Sequence, residues 1–170
     1  APLAAGLLAI AGARVIKVEP SDSGDPMRYI GARKGDISSL LAGCNRGKES
    51  IKIDLKTEAG QAVIRDMASQ VDVVIHNFRP GTMESLNLGC DALRTINPRL
   101  IYMAISGFGT EGPLRRAPAY DPIIQAHSGM AATQGGDDSP AFIRSLLCDK
   151  ITAYTACQAV TSALFARERS

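Results

Sequence analysis

An open α/β sheet with helices on its faces is the fold class that the sequence predicts, and three observations predict it. Apolar runs with strand character alternate with segments of helical period, which is the pattern of parallel βαβ units. The segments between strands are helix-length rather than tight hairpin turns, so neighbouring strands run parallel. Finally, 170 residues, 45% of them hydrophobic, suffice for one domain with a buried core and no need of a disulfide or metal.

The elements follow in order. Pro2 to Ala13 is an apolar run far short of the ~20 residues of a membrane span, and its first basic residue, Arg14, comes after it rather than before as in an export signal. It reads as a buried helix. Arg14 to Glu19 alternates polar and apolar side chains around β-branched positions, a strand. Ser21 to Gly47, broken by Gly24, Pro26, Gly31, Gly35 and Gly43, reads as a surface excursion. Thr57 caps a helix whose apolar face is Val63, Ile64, Met67 and Val71. Val71 to Ile75 and Leu100 to Ile105 are short apolar runs bounded by turn residues, hence buried strands, and between them Asp91 to Ile96 is a helix stopped by Asn97-Pro98. Asp121-Pro122 places an N-cap carboxylate before a first-turn proline, opening a helix through Ile123, Ile124, Ala126, His127 and Met130. Thr133 to Ser139 is a loop. Asp149 opens the last helix, with an apolar stripe of Ile151, Tyr154, Cys157, Thr161 and Leu164, ending near Arg167-Glu168-Arg169.

Charge and cysteine content exclude several functions. Lys and Arg number 19 against 17 for Asp and Glu, so a net charge of +2 exerts no general pull on nucleic acid or anionic lipid, and neither is an expected partner. Cys44, Cys90, Cys148 and Cys157 form no Cys-x-x-Cys pair and have no histidine at ligand spacing, which disfavours zinc and a disulfide scaffold and fits a reducing cytoplasm.

Five motifs bear on chemistry. Gly107-Phe108-Gly109-Thr110-Glu111-Gly112 matches a dinucleotide fingerprint after a strand, but Pro113 and Arg115-Arg116 follow where a helix should open, and no acidic residue ends a second strand beyond it. A nicotinamide cofactor is therefore not expected. Asn77-Phe78-Arg79-Pro80-Gly81 follows a buried strand, at the carboxyl end where ligands gather in open α/β sheets. An arginine there suits phosphate and an aromatic suits a purine, though an ordinary turn with a solvated arginine has the same composition. His76 and His127 lie in separate elements without a nucleophile motif and read as packed or surface residues. Arg46, Lys48, Lys52 and Lys56 read as a solvated face, with Lys52 and Lys56 flanking Ile53-Asp54-Leu55 where a phosphorylated ligand would meet them. Asp149 is open to two readings, helix cap or reactive carboxylate.

Longer blocks add a resemblance. Gly12 to Pro20 (GARVIKVEP), Asn45 to Lys56 (NRGKESIKIDLK), Asn77 to Met83 (NFRPGTM), Ile96 to Tyr102 (INPRLIY) and Ser106 to Gly109 (SGFG) resemble, in order and spacing, successive blocks of the class III coenzyme A transferases. That family includes formyl-CoA transferase, carnitine CoA-transferase and α-methylacyl-CoA racemase. The resemblance implies a doubly wound, Rossmann-like N-terminal domain over residues 1–170, incomplete relative to the family because a first strand would precede Ala1 and a second domain would follow Ser170. It also implies an interlocked homodimer, with acyl-CoA as substrate, a carboxylic acid as acceptor and no metal.

Carried over residue by residue, the resemblance places the nucleotide part of coenzyme A near Ile53, Asp54, Leu55 and Lys56 and near Asn77, Phe78 and Arg79. Ala117, Pro118, Ala119 and Tyr120 would border the thioester arm, and Asp149 would be the catalytic aspartate that becomes acylated. Pro20 departs from relatives that carry a coenzyme-contacting arginine there. The family's racemases pair the aspartate with a histidine on a Gly-His-Asp segment, whereas here Pro118-Ala119-Tyr120-Asp121 supplies an alanine that transfers no proton. Covalent acyl transfer is thus expected over racemisation. A non-catalytic coenzyme-binding or dimerising remnant is the alternative from another functional class.

Overall fold

The structure, a computed structural model, describes residues 1–169. In chain order the elements are α1 (Pro2–Ile10), β1 (Ile16–Glu19), a 3-10 turn (Pro26–Tyr29), β2 (Arg33–Lys34), β3 (Ile37–Ser38), α2 (Ser39–Cys44), β4 (Glu49–Lys52) and α3 (Glu58–Ala68). There follow β5 (Val73–His76), α4 (Thr82–Ser85), α5 (Cys90–Ile96), β6 (Ile101–Ala104), α6 (Asp121–His127), α7 (Met130–Gly135) and α8 (Leu147–Arg169).

Side chains on β6 alternate between two apolar layers, as the pleat of a strand requires. Tyr102 packs with Val74 against a core of Ala68, Met83, Leu88, Leu93 and Leu100, supplied by α3, α4 and α5 and the segments after them. Met103 and Ile105 pack on the other side, against Ala4 of α1 and Ala153 and Ala156 of α8. Helices therefore cover both faces of the β5–β6 ladder, which is parallel and pairs Val73 with Ile101 through His76 with Ala104. A second parallel ladder joins β1 to β4, from Ile16 opposite Glu49 to Glu19 opposite Lys52. Among the described residues no backbone ladder joins the two, and β2–β3 forms a separate antiparallel pair.

The expected α/β class, parallel pairing and helix-covered strands are all present, with local differences that have physical causes. β4 goes unrecognised in the sequence because Glu49-Ser50-Ile51-Lys52 carries one apolar residue and is held by its pairing with β1. In α3, Thr57 caps as expected, its Oγ1 accepting from the Gly60 amide at 3.0 Å. Val63, however, is exposed, and Ala68 is the buried member of that face. On α8 most of the expected stripe faces solvent: Ile151 and Tyr154 are 51% and 62% exposed and Thr161 is exposed, Cys157 and Leu164 are half-buried, while Cys148, Ala153, Ala156 and Val160 are buried. Small side chains win that face because Ala4 of α1, fully buried, permits close helix approach there, so shape outranks hydrophobicity. The helix after Asp121 ends at Ser128, and a left-handed Gly129 with φ of 77° starts α7 before Met130.

The excursion at 21–47 is anchored by Glu19, a carboxylate whose role no local sequence pattern signals. Glu19, 2% exposed at the end of β1, accepts from Arg28 Nη2 at 2.8 Å and Nε at 3.0 Å, from the Asp25 amide at 2.9 Å and from Ser50 Oγ at 3.0 Å. Lys17 pairs with both Glu19 and Asp25. Four donors on a buried carboxylate favour its charged form, so its pKa falls to about 2, the Arg28 guanidinium being the main cause.

Candidate functional site

Each segment expected to touch coenzyme A lies at or beyond the carboxyl end of a parallel strand. Ile53 to Lys56 turns from β4 into α3: Thr57 Oγ1 donates to the Asp54 carbonyl at 2.9 Å, and the Lys56 amide donates to Asp54 Oδ1 at 2.9 Å. Gly60 is required here, because a Cβ would stand 2.0 Å from the Asp54 carbonyl oxygen. Ile53 is buried, and the Asp54 carboxylate is spent on its own turn. Asp54 thus shapes the turn, leaving the exposed Lys56 as its cationic side chain.

Asn77, Phe78 and Arg79 follow β5 and are all exposed. Their loop is braced from behind by His76, whose Nδ1 accepts the Phe78 amide at 3.3 Å and whose ring stacks on Phe78 at 5.9 Å and meets Tyr102 edge-on at 5.2 Å. Accepting at Nδ1 puts the proton of the neutral ring on Nε2, which is buried without a partner. Burial lowers the His76 pKa below its ordinary 6.5, opposed by the negative charge of Glu84. Protonation would occupy Nδ1 and break the bond to Phe78. For a ligand held on this loop, affinity is accordingly expected to fall as pH drops below about 6.5 through the lowered pKa of His76, with stability falling in the same direction because the unfolded chain takes up that proton first. Calorimetric titrations at a series of pH values, with His76→Gln as the comparison, check this; the same pH dependence in both proteins would contradict it.

The segment 106–120 contains turns and no helix, so the glycine fingerprint at 107–112 lacks the helix N-terminus that a dinucleotide site needs. Its role is packing: a Cβ on Gly107 would lie 2.0 Å from that of Ala119, and Phe108 meets the His127 ring edge-on at 5.3 Å. Close contact thus seats Ala119 against the turn that leaves β6, within an Ala117 to Tyr120 stretch that ends in a 70% exposed Tyr120.

Asp121 does not cap its own helix; Tyr120 is the N-cap residue and Asp121 the first helical one. Its carboxylate instead reaches α8, where Oδ2 accepts the Asp149 amide at 2.9 Å. Oδ1 accepts from Gln125 Nε2 at 2.6 Å, and Gln125 Oε1 accepts the Ile143 amide at 2.9 Å. Asp121 and Gln125 are 3% and 1% exposed, so a buried polar pair pins the start of α8 and the chain leading to it. The Asp-x-x-x-Gln spacing on α6 was the available signal for this pair.

Asp149 therefore needs no cap role. It sits in the first turn of α8 and is exposed, and no amide of the described residues donates to its carboxylate. Partial burial, then the charge of Asp121, raises its pKa above the ordinary carboxylate value. The neighbouring Cys148 thiol is pushed up by burial and then by Asp121 and Asp149, which holds it protonated and unreactive. No group of residues suited to a metal ion occurs among those described, and no helix is long and apolar enough to cross a membrane.

Two shallow depressions, both open to solvent, lie on the surface. One of about 320 Å³ is lined by Arg79, Pro80, Gly81, Thr82, Ser85 and Arg116, and so joins the Asn77 to Arg79 loop to the residue preceding Ala117. The other, about 360 Å³ beside Asp91, Arg94, Thr95 and Pro98, contains none of these site residues. Lys56 lines neither.

Parallel strands with exposed loops at their carboxyl ends and helices on both faces define an α/β unit, with an exposed aspartate at the start of its last helix. The chain belongs to the CoA-transferase family III, whose model matches residues 1–170. It is 42% identical over 174 residues to the acetyl-CoA:oxalate CoA-transferase of Acetobacter aceti, covering 99% of this chain and 44% of that protein. It is 41% identical over 174 residues to the succinyl-CoA–D-citramalate CoA-transferase of Chloroflexus aurantiacus, covering 99% of this chain and 42% of the relative. The crystal structure of a CAIB/BAIF family protein from Brucella suis superposes with a TM-score of 0.91 at 36% identity, over 99% of this chain and 46% of the other. The chain thus spans less than half the length of these relatives.

Proposed function

We propose that this chain is the coenzyme A-binding N-terminal α/β domain of an enzyme that moves coenzyme A from an acyl-CoA to a carboxylic acid through an intermediate on Asp149. The observation that carries this reading is an exposed Asp149 carboxylate that caps nothing, on a helix start whose backbone is held by the buried Asp121 and Gln125. The reaction partners it would face belong to the acyl-CoA transfers named for the relatives.

In this mechanism an Asp149 oxygen attacks the thioester carbonyl, the carbon–sulfur bond breaks, and coenzyme A leaves as thiolate with the bonding pair. The thiolate attacks the aspartyl carbonyl of the mixed anhydride and releases the first acid as its carboxylate. The acceptor carboxylate attacks the aspartyl thioester, and the freed thiolate attacks the new acyl group, restoring Asp149. No net proton is required. That suits the Pro118-Ala119-Tyr120 stretch, which offers no acid or base at Ala119 and so favours transfer over racemisation. Lys56 and Arg79 would hold phosphates, Phe78 the base, and Ala117 to Tyr120 the pantetheine arm. In this reading the full-length enzyme is a cytoplasmic homodimer with a second domain, and the exposed Ile151, Tyr154 and Phe165 on α8 support association.

Calorimetry of coenzyme A with the full-length enzyme tests the binding half. Lys56→Ala and Arg79→Ala are each expected to weaken affinity about tenfold and to flatten its dependence on salt, because each removes one charge-assisted contact. Equal affinities for both variants and the wild type would move the phosphates elsewhere, and binding of NADH instead of coenzyme A would overturn the assignment.

A further inference from the structure

Arg115-Arg116 stands out in the sequence only as the pair that breaks the glycine fingerprint, and the family resemblance assigns it nothing. In the fold the two arginines part company. Arg115 Nη1 turns back to the Gly112 carbonyl at 3.4 Å, within its own loop. Arg116 reaches the loop after β5: its Nη2 lies 3.8 Å from where a Cβ on Gly81 would stand, and it lines the same cleft as Arg79. Neither Arg79 nor Arg116 is in an ion pair among the described residues, and no acidic side chain lines the cleft.

Two unpaired guanidiniums around one concavity repel each other unless an anion lies between them. Their planar forks match phosphate oxygens bidentately, and Thr82 and Ser85 line the same cleft. The cleft, about 320 Å³, is open to solvent, so a phosphate can sit in it while the rest of a coenzyme extends beyond it. We infer that Arg116 and Arg79 grip one phosphate of coenzyme A between them, which makes Arg116 a binding residue that ties the loop bearing Ala117 to Tyr120 to the nucleotide end of the ligand. This inference rests on the coenzyme A reading above. Its consequence is that occupancy of the phosphate site draws the pantetheine-side segment toward the β5 loop, so the two halves of the coenzyme report on each other.

The test is calorimetry of the full-length enzyme with coenzyme A, 3′-dephospho-coenzyme A and ADP, comparing wild type with Arg116→Ala, Arg116→Lys and Arg115→Ala. Arg116→Ala is expected to weaken coenzyme A about tenfold, Arg116→Lys to recover part of that through charge without the fork, and Arg115→Ala to leave it unchanged. Loss of the preference for coenzyme A over its dephospho form in Arg116→Ala assigns the 3′-phosphate; a preserved preference with weakened ADP assigns the diphosphate, and both support the inference. An Arg79→Ala defect with unchanged binding in Arg116→Ala would overturn it, as would equal losses in Arg115→Ala and Arg116→Ala, which mark a diffuse charge effect. Failure of wild type to bind coenzyme A would instead sink the underlying assignment.

Discussion

Asp149→Asn in the full-length enzyme is expected to abolish coenzyme A transfer, by ~10³-fold or more, while the protein folds and binds coenzyme A as before. The amide is nearly isosteric but lacks the ionised oxygen that attacks the thioester. The structure sharpens this expectation because the Asp149 side chain caps nothing: the amide of residue 149 is held by Asp121, and that bond survives the substitution. Stability should not fall. A carboxyl whose pKa is raised by folding costs stability at pH values above its ordinary 3.8, since the unfolded chain ionises more readily there. The helix dipole favours a charge in the first turn, yet desolvation and Asp121 act against it. Chemical denaturation of both proteins at neutral pH checks the stability half, and a rate assay the other. A variant that transfers at the wild-type rate would return Asp149 to a structural role.

Glu19→Gln is expected to be the most damaging single change away from the reactive group. The fall in pKa from 4.5 to about 2 corresponds to roughly 3 kcal/mol of stability at neutral pH. Because the folded value is the lower one, that contribution is complete above pH 4.5 and disappears as pH falls toward 2. Glutamine keeps the volume and some hydrogen bonds but leaves Arg28 and Lys17 without their shared anion. A loss of about 3 kcal/mol, or roughly 10 °C in Tm, is expected at pH 7, and the two proteins should converge near pH 2. Glu49→Gln is the contrast: its pair with Arg14 spans 2.7 Å but is exposed on both sides, so its Tm should barely move. Thermal melts across pH decide between them, and a Glu19→Gln melt coincident with wild type at pH 7 would contradict the buried-anion account.

How far the sequence could be read depended on whether the signal was local. The cap at Thr57, the stop at Asn97 and the apolar runs of β5 and β6 are properties of adjacent residues, and all three are present in the fold. Asn97 does more than stop a helix: its Nδ2 donates to the carbonyls of Ala68 and Val71, both at 3.0 Å, fastening α5 to the end of α3. What escaped was set by partners distant in the chain. The buried face of α8 is chosen by Ala4, about one chain length away, so the larger Ile151 and Tyr154 mislead. Asp121 looks like the cap of its own helix and serves another. Glu19 ends an amphipathic strand unremarkably until Arg28, Asp25 and Ser50 converge on it. At the site, Arg79 and Lys56 are candidates from local composition and the resemblance strengthens them, whereas the roles of Arg116 and His76 depend on the fold, which alone sets one beside Gly81 and the other beneath Phe78.

The most direct measurement of the central claim is chemical trapping at Asp149. The full-length enzyme is incubated with acyl-CoA, quenched with hydroxylamine, digested and examined by peptide mass; only an activated aspartyl ester, thioester or anhydride yields a hydroxamate. The account predicts a hydroxamate on Asp149 that requires acyl-CoA and is absent from Asp149→Asn. An active wild-type enzyme that turns over acyl-CoA with no modification at Asp149, or with a hydroxamate at another carboxylate, would contradict it.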